Sequence, residues 1–246
     1  MLTVDLDQLG LSPGQVCLDV GCGEGRHTLA TYLLEGVFAL GLDLSAEDLA
    51  TARGRITDMQ PHSPGGQIGF ATGDATALPL ADETVDVVIA SEILEHIPNY
   101  LTVLEEALRV LKPGGRLCVS VPRQWPEWIC WQLSEQYRTT PGGHIRIFDA
   151  THLRREIQQQ GFEFVGRGSA HALHVPYWWL KCLFWRREPE PSLLRWYHKL
   201  LVWDLMAQPW LTRAIDGLLN PVMGKSIIMY FIKPGTAKAT VGDHAL

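Results

Sequence analysis

The stretch Val16-Cys17-Leu18-Asp19-Val20-Gly21-Cys22-Gly23-Glu24-Gly25-Arg26 decides how this chain folds. A short apolar, β-favouring run feeds three glycines at every second position, and a helix-compatible segment, His27 to Glu35, follows directly. The pattern is strand, tight loop, helix. Glycine at a strand-to-helix turn admits positive φ and lets a ligand approach the backbone more closely than a Cβ would allow. The N-terminus of the helix that follows favours negative charge. A dinucleotide fingerprint, G-x-G-x-x-G, would need glycine at position 26, where Arg26 stands, so a nicotinamide cofactor is the weaker expectation.

Downstream, Val37 to Leu42 is a second apolar run that ends on Asp43, 22 residues beyond Gly21. In a doubly wound sheet that carboxylate reaches the edge occupied by the glycine loop, where it can accept from both hydroxyls of a ribose. Ser45 is the expected N-cap of a helix over 46–55 with Glu47 and Asp48 in its first turn. A Pro/Gly/Ser loop at 61–66 leads to a third strand over 67–72, which ends in Gly73-Asp74-Ala75. Val85 to Ala90, four of whose six residues are Val or Ile, reads as a central strand covered on both faces. It runs into Ser91-Glu92-Ile93-Leu94-Glu95-His96 and an amphipathic helix over 100–111. Lys112-Pro113-Gly114-Gly115 predicts a type II turn with positive φ at Gly114, ahead of strand five over 116–121.

The aromatic segment 125–137 has helical character, and Asp149 caps a helix over 150–160 that stops at Gly161. Strands six and seven are expected over 162–167 and 226–232. Between them, Leu193, Trp196, Tyr197, Leu200 and Leu201 keep helical spacing, as do Leu211, Ala214, Ile215, Leu218 and Leu219. The domain reading is therefore an α/β unit of residues 1–167 with 225–234, a helical cap insertion over 168–224, and a flexible tail over 235–246.

With 46% apolar and 20% charged residues among 246, the chain is globular, and no uncharged apolar run suits a membrane span. Two acids near the N-terminus argue against a signal peptide, and five cysteines without a CxxC pair argue against a disulfide framework or a zinc site. A reducing cytoplasm is the expected location. Residues 1–111 hold 17 acids against 4 arginines, whereas residues 112–246 hold 17 Lys and Arg against 10 acids and all nine tryptophans. The acidic first part argues against a nucleic-acid partner, and the basic, Trp-rich remainder suits an anionic or amphipathic one.

Taken in order, Leu18 to Gly25, Asp43, Gly73-Asp74-Ala75, Val85-Asp86-Val87-Val88, Glu92 to Ile97 and Leu111 to Leu117 resemble a class I S-adenosylmethionine-dependent methyltransferase. The nearest flavour is the small-molecule group that includes the ubiquinone and menaquinone biosynthesis methyltransferases, and the likeness covers roughly residues 15–167 and the last strand. It implies a Rossmann-like, doubly wound, seven-stranded sheet, mostly parallel with an antiparallel last strand. It also implies S-adenosylmethionine as cofactor: Asp19, Gly21, Cys22, Gly23, Gly25 and Arg26 along its methionine part, Asp43 on the ribose, Leu44, Asp74 and Ala75 around the adenine, and Ser91 beneath the sulfonium.

Methyl transfer from a sulfonium needs alignment and exclusion of water, with a general base only where the nucleophile must lose a proton. His96 and His144 are the candidates, each with a structural alternative: His96 as a packing residue beside Pro98, His144 as a structural hydrogen-bonder. No metal ligands are expected, since His171 and His174 lack a companion carboxylate or cysteine pattern. Trp178, Trp179, Trp185, Trp196 and Trp203 are expected to pack the core of the cap. The alternative is a peripheral membrane contact, since they interleave with Lys181, Arg186, Arg187, Arg195 and Lys199. A small apolar or aromatic acceptor is expected, with O-methylation ahead of C-methylation. A catalytically silent, cofactor-binding scaffold is the alternative from another class. Oligomeric state is left open.

Overall fold

The computed structural model of the chain describes residues 2–57, 59 and 66–235. The expected loop at 61–65 and the tail beyond residue 235 lie outside the described residues. Seven strands, β1 (Val16–Val20), β2 (Phe38–Asp43), β3 (Gln67–Thr72), β4 (Val85–Ser91), β5 (Leu111–Pro122), β6 (Glu163–Ala170) and β7 (Ser226–Ile232), form one sheet in the order β3-β2-β1-β4-β5-β7-β6. Strands β1 to β5 pair in parallel, and β7 is antiparallel to both β5 and β6. The strand order reverses between β1 and β4, so the crevice at their carboxyl ends is where a doubly wound sheet binds its ligand.

The helices are α1 (Arg26–Tyr32), α2 (Ala46–Ile56), α3 (Tyr100–Val110), α4 (Gln124–Leu133), α5 (Glu135–Arg138), α6 (Ala150–Gln159), α7 (His174–Leu183), α8 (Ser192–Ala207) and α9 (Trp210–Met223). Two apolar cores flank the sheet. One joins Leu18, Val88 and Leu117 to Leu104, Leu153 and Ile157 of α3 and α6. The other joins Cys17, Ile89 and Cys118 to Val4 and Leu9 of the N-terminal segment. Alternate residues of β4 thus enter opposite cores, which is why its sequence is apolar almost without interruption. The expected caps form: Ser45 accepts from the Asp48 N–H at 3.1 Å and Asp149 from the His152 N–H at 2.7 Å.

The loop glycines serve different ends. A Cβ on Gly21 (φ +67°) would lie 2.1 Å from Ile93 Cδ1, and one on Gly25 (φ +80°) would lie 3.0 Å from Ala52 and 3.1 Å from Phe70. Close packing of α2, β3 and the turn after β4 therefore demands glycine at both. At Gly23 a Cβ would meet nothing within 4 Å, so that backbone faces open space.

Three features differ from expectation. Strand β5 starts at Leu111, paired with Val85, and residues 112–115 bulge out before Arg116 pairs with Val87. Gly114 keeps the predicted positive φ (+80°), and Lys112 holds the bulge against β4 through both oxygens of Asp86 at 2.8 and 2.9 Å. Strand β6 runs on to Ala170 because β7 offers partners as far as Ser226, so the helical insertion begins later than position 168. The aromatic segment is two helices, broken at Ser134, whose side chain caps α5 by accepting from the Tyr137 N–H at 3.1 Å.

The tryptophans divide. Trp178, Trp179 and Trp185 are half-buried against Trp125 and Tyr137, as a packed core requires. Trp196 and Trp203 are not core residues: they are 60% and 51% exposed, because α8 turns Leu194 and Leu201 inward and both indoles lie on its opposite side. No helix among the described residues is long and apolar enough to cross a membrane.

Gly21→Ala forces a Cβ into Ile93 and a non-glycine residue to positive φ, and should lower unfolding free energy by about 2–4 kcal/mol in denaturant titrations. Adding Ile93→Ala should recover part of that loss. An equal penalty in both backgrounds would show that this contact is not the constraint.

Candidate functional site

At the switch point a cavity of about 880 Å³ opens between the glycine loop, the ends of β2 and β3, and the turn that follows β4. Its wall brings together Gly21, Asp43, Leu44, Asp74, Ala75 and His96 from segments far apart in sequence. Asp43 holds the loop as well as facing the cavity: Oδ2 accepts from the Gly23 N–H at 2.7 Å and Oδ1 from the Ser45 N–H at 2.8 Å. Each carboxylate oxygen has a second lone pair, so these bonds leave acceptor capacity for a ligand. Asp74 accepts from the N–H and hydroxyl of Thr76, both at 2.8 Å, and these bonds hold its carboxyl below the usual range. Beside the acids, Leu44 is 70% exposed, an apolar side chain without an apolar cover.

Asp19, Cys22, Arg26 and Ser91, also singled out in the sequence, do not line this cavity. Asp19 is buried and accepts from the N–H (2.9 Å) and hydroxyl (2.7 Å) of Thr28, which caps the first turn of α1. Burial pushes its pKa up to about 6, against those bonds and the Arg26 charge. Cys22 is buried with its thiol 3.6 Å from the Gly23 carbonyl, and Arg26 lies exposed at the start of α1. The Ser91 hydroxyl sits 2.8 Å from that of Ser120, which itself donates to Glu92 at 3.0 Å, so Ser91 is bonded into the sheet.

Next to the first cavity lies a second of about 600 Å³, and His96 and Gly142 border both. His144 lines the second one. Three bonds bring its segment to the 3-10 turn Leu94–His96 and the residues just after it. The Ile145 N–H donates to the Glu95 carbonyl (3.0 Å), Arg146 to the Pro98 carbonyl (2.7 Å), and His96 Nδ1 pairs with the Gly143 carbonyl (3.2 Å). The two imidazoles then meet edge to face, with ring centroids 5.0 Å apart.

Two buried carboxylates frame them. Glu127 accepts from Trp131 Nε1 (3.1 Å) and the Tyr137 hydroxyl (3.0 Å) and lies 2.7 Å from His144 Nδ1. Burial pushes the Glu127 pKa upward, but hydrogen bonds from His144 and Tyr137 and the Lys225 charge outweigh it and hold the group below the usual range. An ionised Glu127 fixes the proton of His144 on Nδ1 and leaves Nε2 as the basic atom. His96 is set in the same way, since a carbonyl partner requires an Nδ1–H. Its pKa is lowered by burial and by His144.

Both Nε2 atoms lie 4.0 Å from Oε1 of Glu95, which is 0% exposed and has no hydrogen-bond partner on either oxygen among the described residues. Burial, with Glu92 nearby, raises the Glu95 pKa well above normal. The ligand atoms of Glu95, His96 and His144 all lie within 4.8 Å of one another, so this trio could hold a divalent cation.

Sequence reasoning singled out both histidines but neither Glu95 nor Glu127, and it expected no metal ligands. Glu127 carried a signal: it is a lone acid in the aromatic run Trp125-Pro126-Glu127-Trp128. A charge placed in such a run is either exposed or partnered in the interior.

Residues 18–119 match the family described as a methyltransferase domain. A 27-O-demethylrifamycin SV methyltransferase from Amycolatopsis mediterranei is 34% identical over 156 residues, 63% of this chain and 56% of that protein. A demethylmenaquinone methyltransferase from Shouchella clausii is 37% identical over 114 residues, 46% of this chain and 47% of that one. The chain thus spans about half the length of the curated relatives it matches. Among solved structures, a SAM-dependent methyltransferase from Methanosarcina mazei superposes with a TM-score of 0.63 at 15% identity, covering 95% of this chain and 100% of that one, which shows the shared fold. Residues 18–119, which carry the glycine loop, Asp43, Asp74 and the turn after β4, thus resemble the methyltransferase domain, and the relatives that share them are named as methyltransferases.

Proposed function

We propose that this chain transfers a methyl group from S-adenosylmethionine to a hydroxyl of a small apolar or aromatic molecule. The observation that carries the reading is the junction of the two cavities at His96, with His144 lining the second. The first cavity fits the cofactor. Gly23 offers a backbone that no Cβ obstructs, Asp43 and Asp74 present carboxylates on the wall, and Leu44 supplies an uncovered apolar surface suited to the face of a purine. Asp43 would accept from the ribose hydroxyls, Asp74 from the adenine amino group, and Arg26 with the start of α1 would attract the cofactor's carboxylate. Asp19, Cys22, Gly25 and Ser91 would support that wall from behind.

When bound, the cofactor supplies a methyl already activated on a sulfonium. The chain's part is to seat the acceptor in the second cavity, against Trp131 and Ile145, with its hydroxyl oxygen behind the methyl. The acceptor oxygen would take the methyl as the carbon–sulfur bond breaks, its electron pair leaving with S-adenosylhomocysteine; His144 Nε2 would accept the hydroxyl proton, and Glu127 would stabilise the imidazolium through Nδ1–H. The relatives include proteins named for rifamycin and menaquinone precursors, in keeping with an apolar acceptor.

A second reading of the same centre rests on the two unpartnered oxygens of buried Glu95. A divalent cation held by Glu95, His96 and His144 would acidify a bound hydroxyl and so replace His144 as the proton-withdrawing group.

Asp43→Ala and Asp74→Ala should each weaken S-adenosylmethionine binding by roughly 10- to 100-fold in calorimetry, as expected for lost hydrogen bonds to a charged acceptor. Asp74 is the cleaner test because its bonds are local; unchanged affinity in both variants would refute the cofactor assignment. His144→Ala should lower turnover about 10²- to 10⁴-fold with cofactor affinity nearly intact; a fall in affinity alone would assign His144 to binding. Magnesium or zinc titrated into the protein should bind and be lost in Glu95→Gln if the cation reading holds. Absence of binding, with turnover indifferent to a chelator, would leave the base reading alone.

A further inference from the structure

Helix α9 is built inside out. Its sequence is amphipathic, and the stripe Leu211, Ile215, Leu218 and Val222 recurs at spacings of three and four as a core-facing stripe would. The side that touches the protein is the polar one. Asp216 accepts from the Leu173 N–H at 2.9 Å, Asn220 accepts from the Ala172 N–H at 2.9 Å, and Arg123 donates to the Asn220 carbonyl at 3.1 Å. No residue of α9 is buried, Leu218 is 79% and Trp210 78% exposed, and the whole apolar stripe faces solvent.

Helix α8 adds a second face of the same kind. Leu194 and Leu201 point inward and the Tyr197 hydroxyl donates to the Leu173 carbonyl, while Trp196, Trp203 and Met206 lie outward with Arg195 and Lys199 among them. The acids of the two helices, Asp204 and Asp216, are half-buried and line the cavity between the helices and His171 together with Arg213, so the charges on the outward side of α8 are positive, Arg195 and Lys199, and the exposed apolar stripe of α9 carries no acid.

We propose that the solvent faces of α8 and α9 dock on the surface of an anionic lipid bilayer. Charge decides the occupant. Indoles, a thioether and aliphatic side chains mixed with Lys and Arg, without acids, complement a boundary of acyl chains and anionic headgroups. The acidic balance of residues 1–111, 17 acids against 4 arginines, favours holding that part of the chain away from such a surface. The surface lies outside residues 18–119, so the proposal stands or falls independently of methyl transfer.

Co-sedimentation of the full chain with vesicles of phosphatidylcholine and phosphatidylglycerol tests it, against vesicles of phosphatidylcholine alone. Binding should favour the anionic vesicles several-fold, fall as salt rises, and shift the tryptophan emission to the blue. Leu218→Glu with Trp210→Glu, and separately Trp203→Glu with Lys199→Glu, should each cut the bound fraction at least about five-fold while the circular dichroism spectrum stays unchanged. A wild-type chain that ignores anionic vesicles at low salt overturns the proposal, as does full binding by both variants. A wild-type dimer in sedimentation equilibrium that Leu218→Glu dissociates would assign the face to a second copy instead.

Discussion

The structure depends on a knot of hydrogen bonds at the switch point. The Gly21 and Cys22 N–H groups both donate to the Leu42 carbonyl, at 2.7 and 3.1 Å, and the Gly23 N–H donates to the Asp43 carboxylate. The loop after β1 is thereby tied to the end of β2, and Asp43 extends the tie to the start of α2 through Ser45. A carboxylate that organises two backbone segments is pre-oriented at no further entropic cost when a ligand arrives. Gly21 and Gly25 are part of the same constraint, since a side chain at the first would push Ile93 out of the wall and one at the second would press on Ala52 and Phe70. The site is therefore a consequence of how the sheet closes.

The second centre is held by different means. Glu127 gathers an indole, a phenol and an imidazole around one oxygen, which orders α4, α5 and the segment carrying His144 together. The Ile145 N–H, the Arg146 guanidinium and the Gly143 carbonyl then register that segment on the turn after β4. The low dielectric that makes Glu127 an effective orienting group also raises the Glu95 pKa well above the ordinary carboxylate range. The first cavity and the cluster of Glu95, His96 and His144 thus share His96 as a common wall.

Helix α9 inverts the usual relation between sequence pattern and burial. An apolar stripe at helical spacing normally predicts a core, and in α3 it does: Val103, Leu104, Ala107 and Val110 are all buried. In α9 the same periodicity is satisfied outward, because backbone N–H groups at Ala172 and Leu173 recruit Asp216 and Asn220 to the inner side. Periodicity says that a face exists but not what covers it.

By itself the sequence determined the parts whose physics is local. Strand, glycine loop and helix, the caps at Ser45 and Asp149, the positive φ of Gly114 and the buried run of β4 all follow from backbone sterics, capping and short-range periodicity. The acids at the ends of β2 and β3 were legible because parallel strands deliver their carboxyl ends to one edge. Only the tertiary structure decided the pairing of His144 with Glu127 and Glu95, the burial of Ser91 in the sheet, and the outward turn of Trp196, Trp203 and the α9 stripe. Each of those depends on which distant segments supply hydrogen-bond partners, and desolvated carboxylates and exposed indoles acquire their meaning from neighbours that no local pattern names.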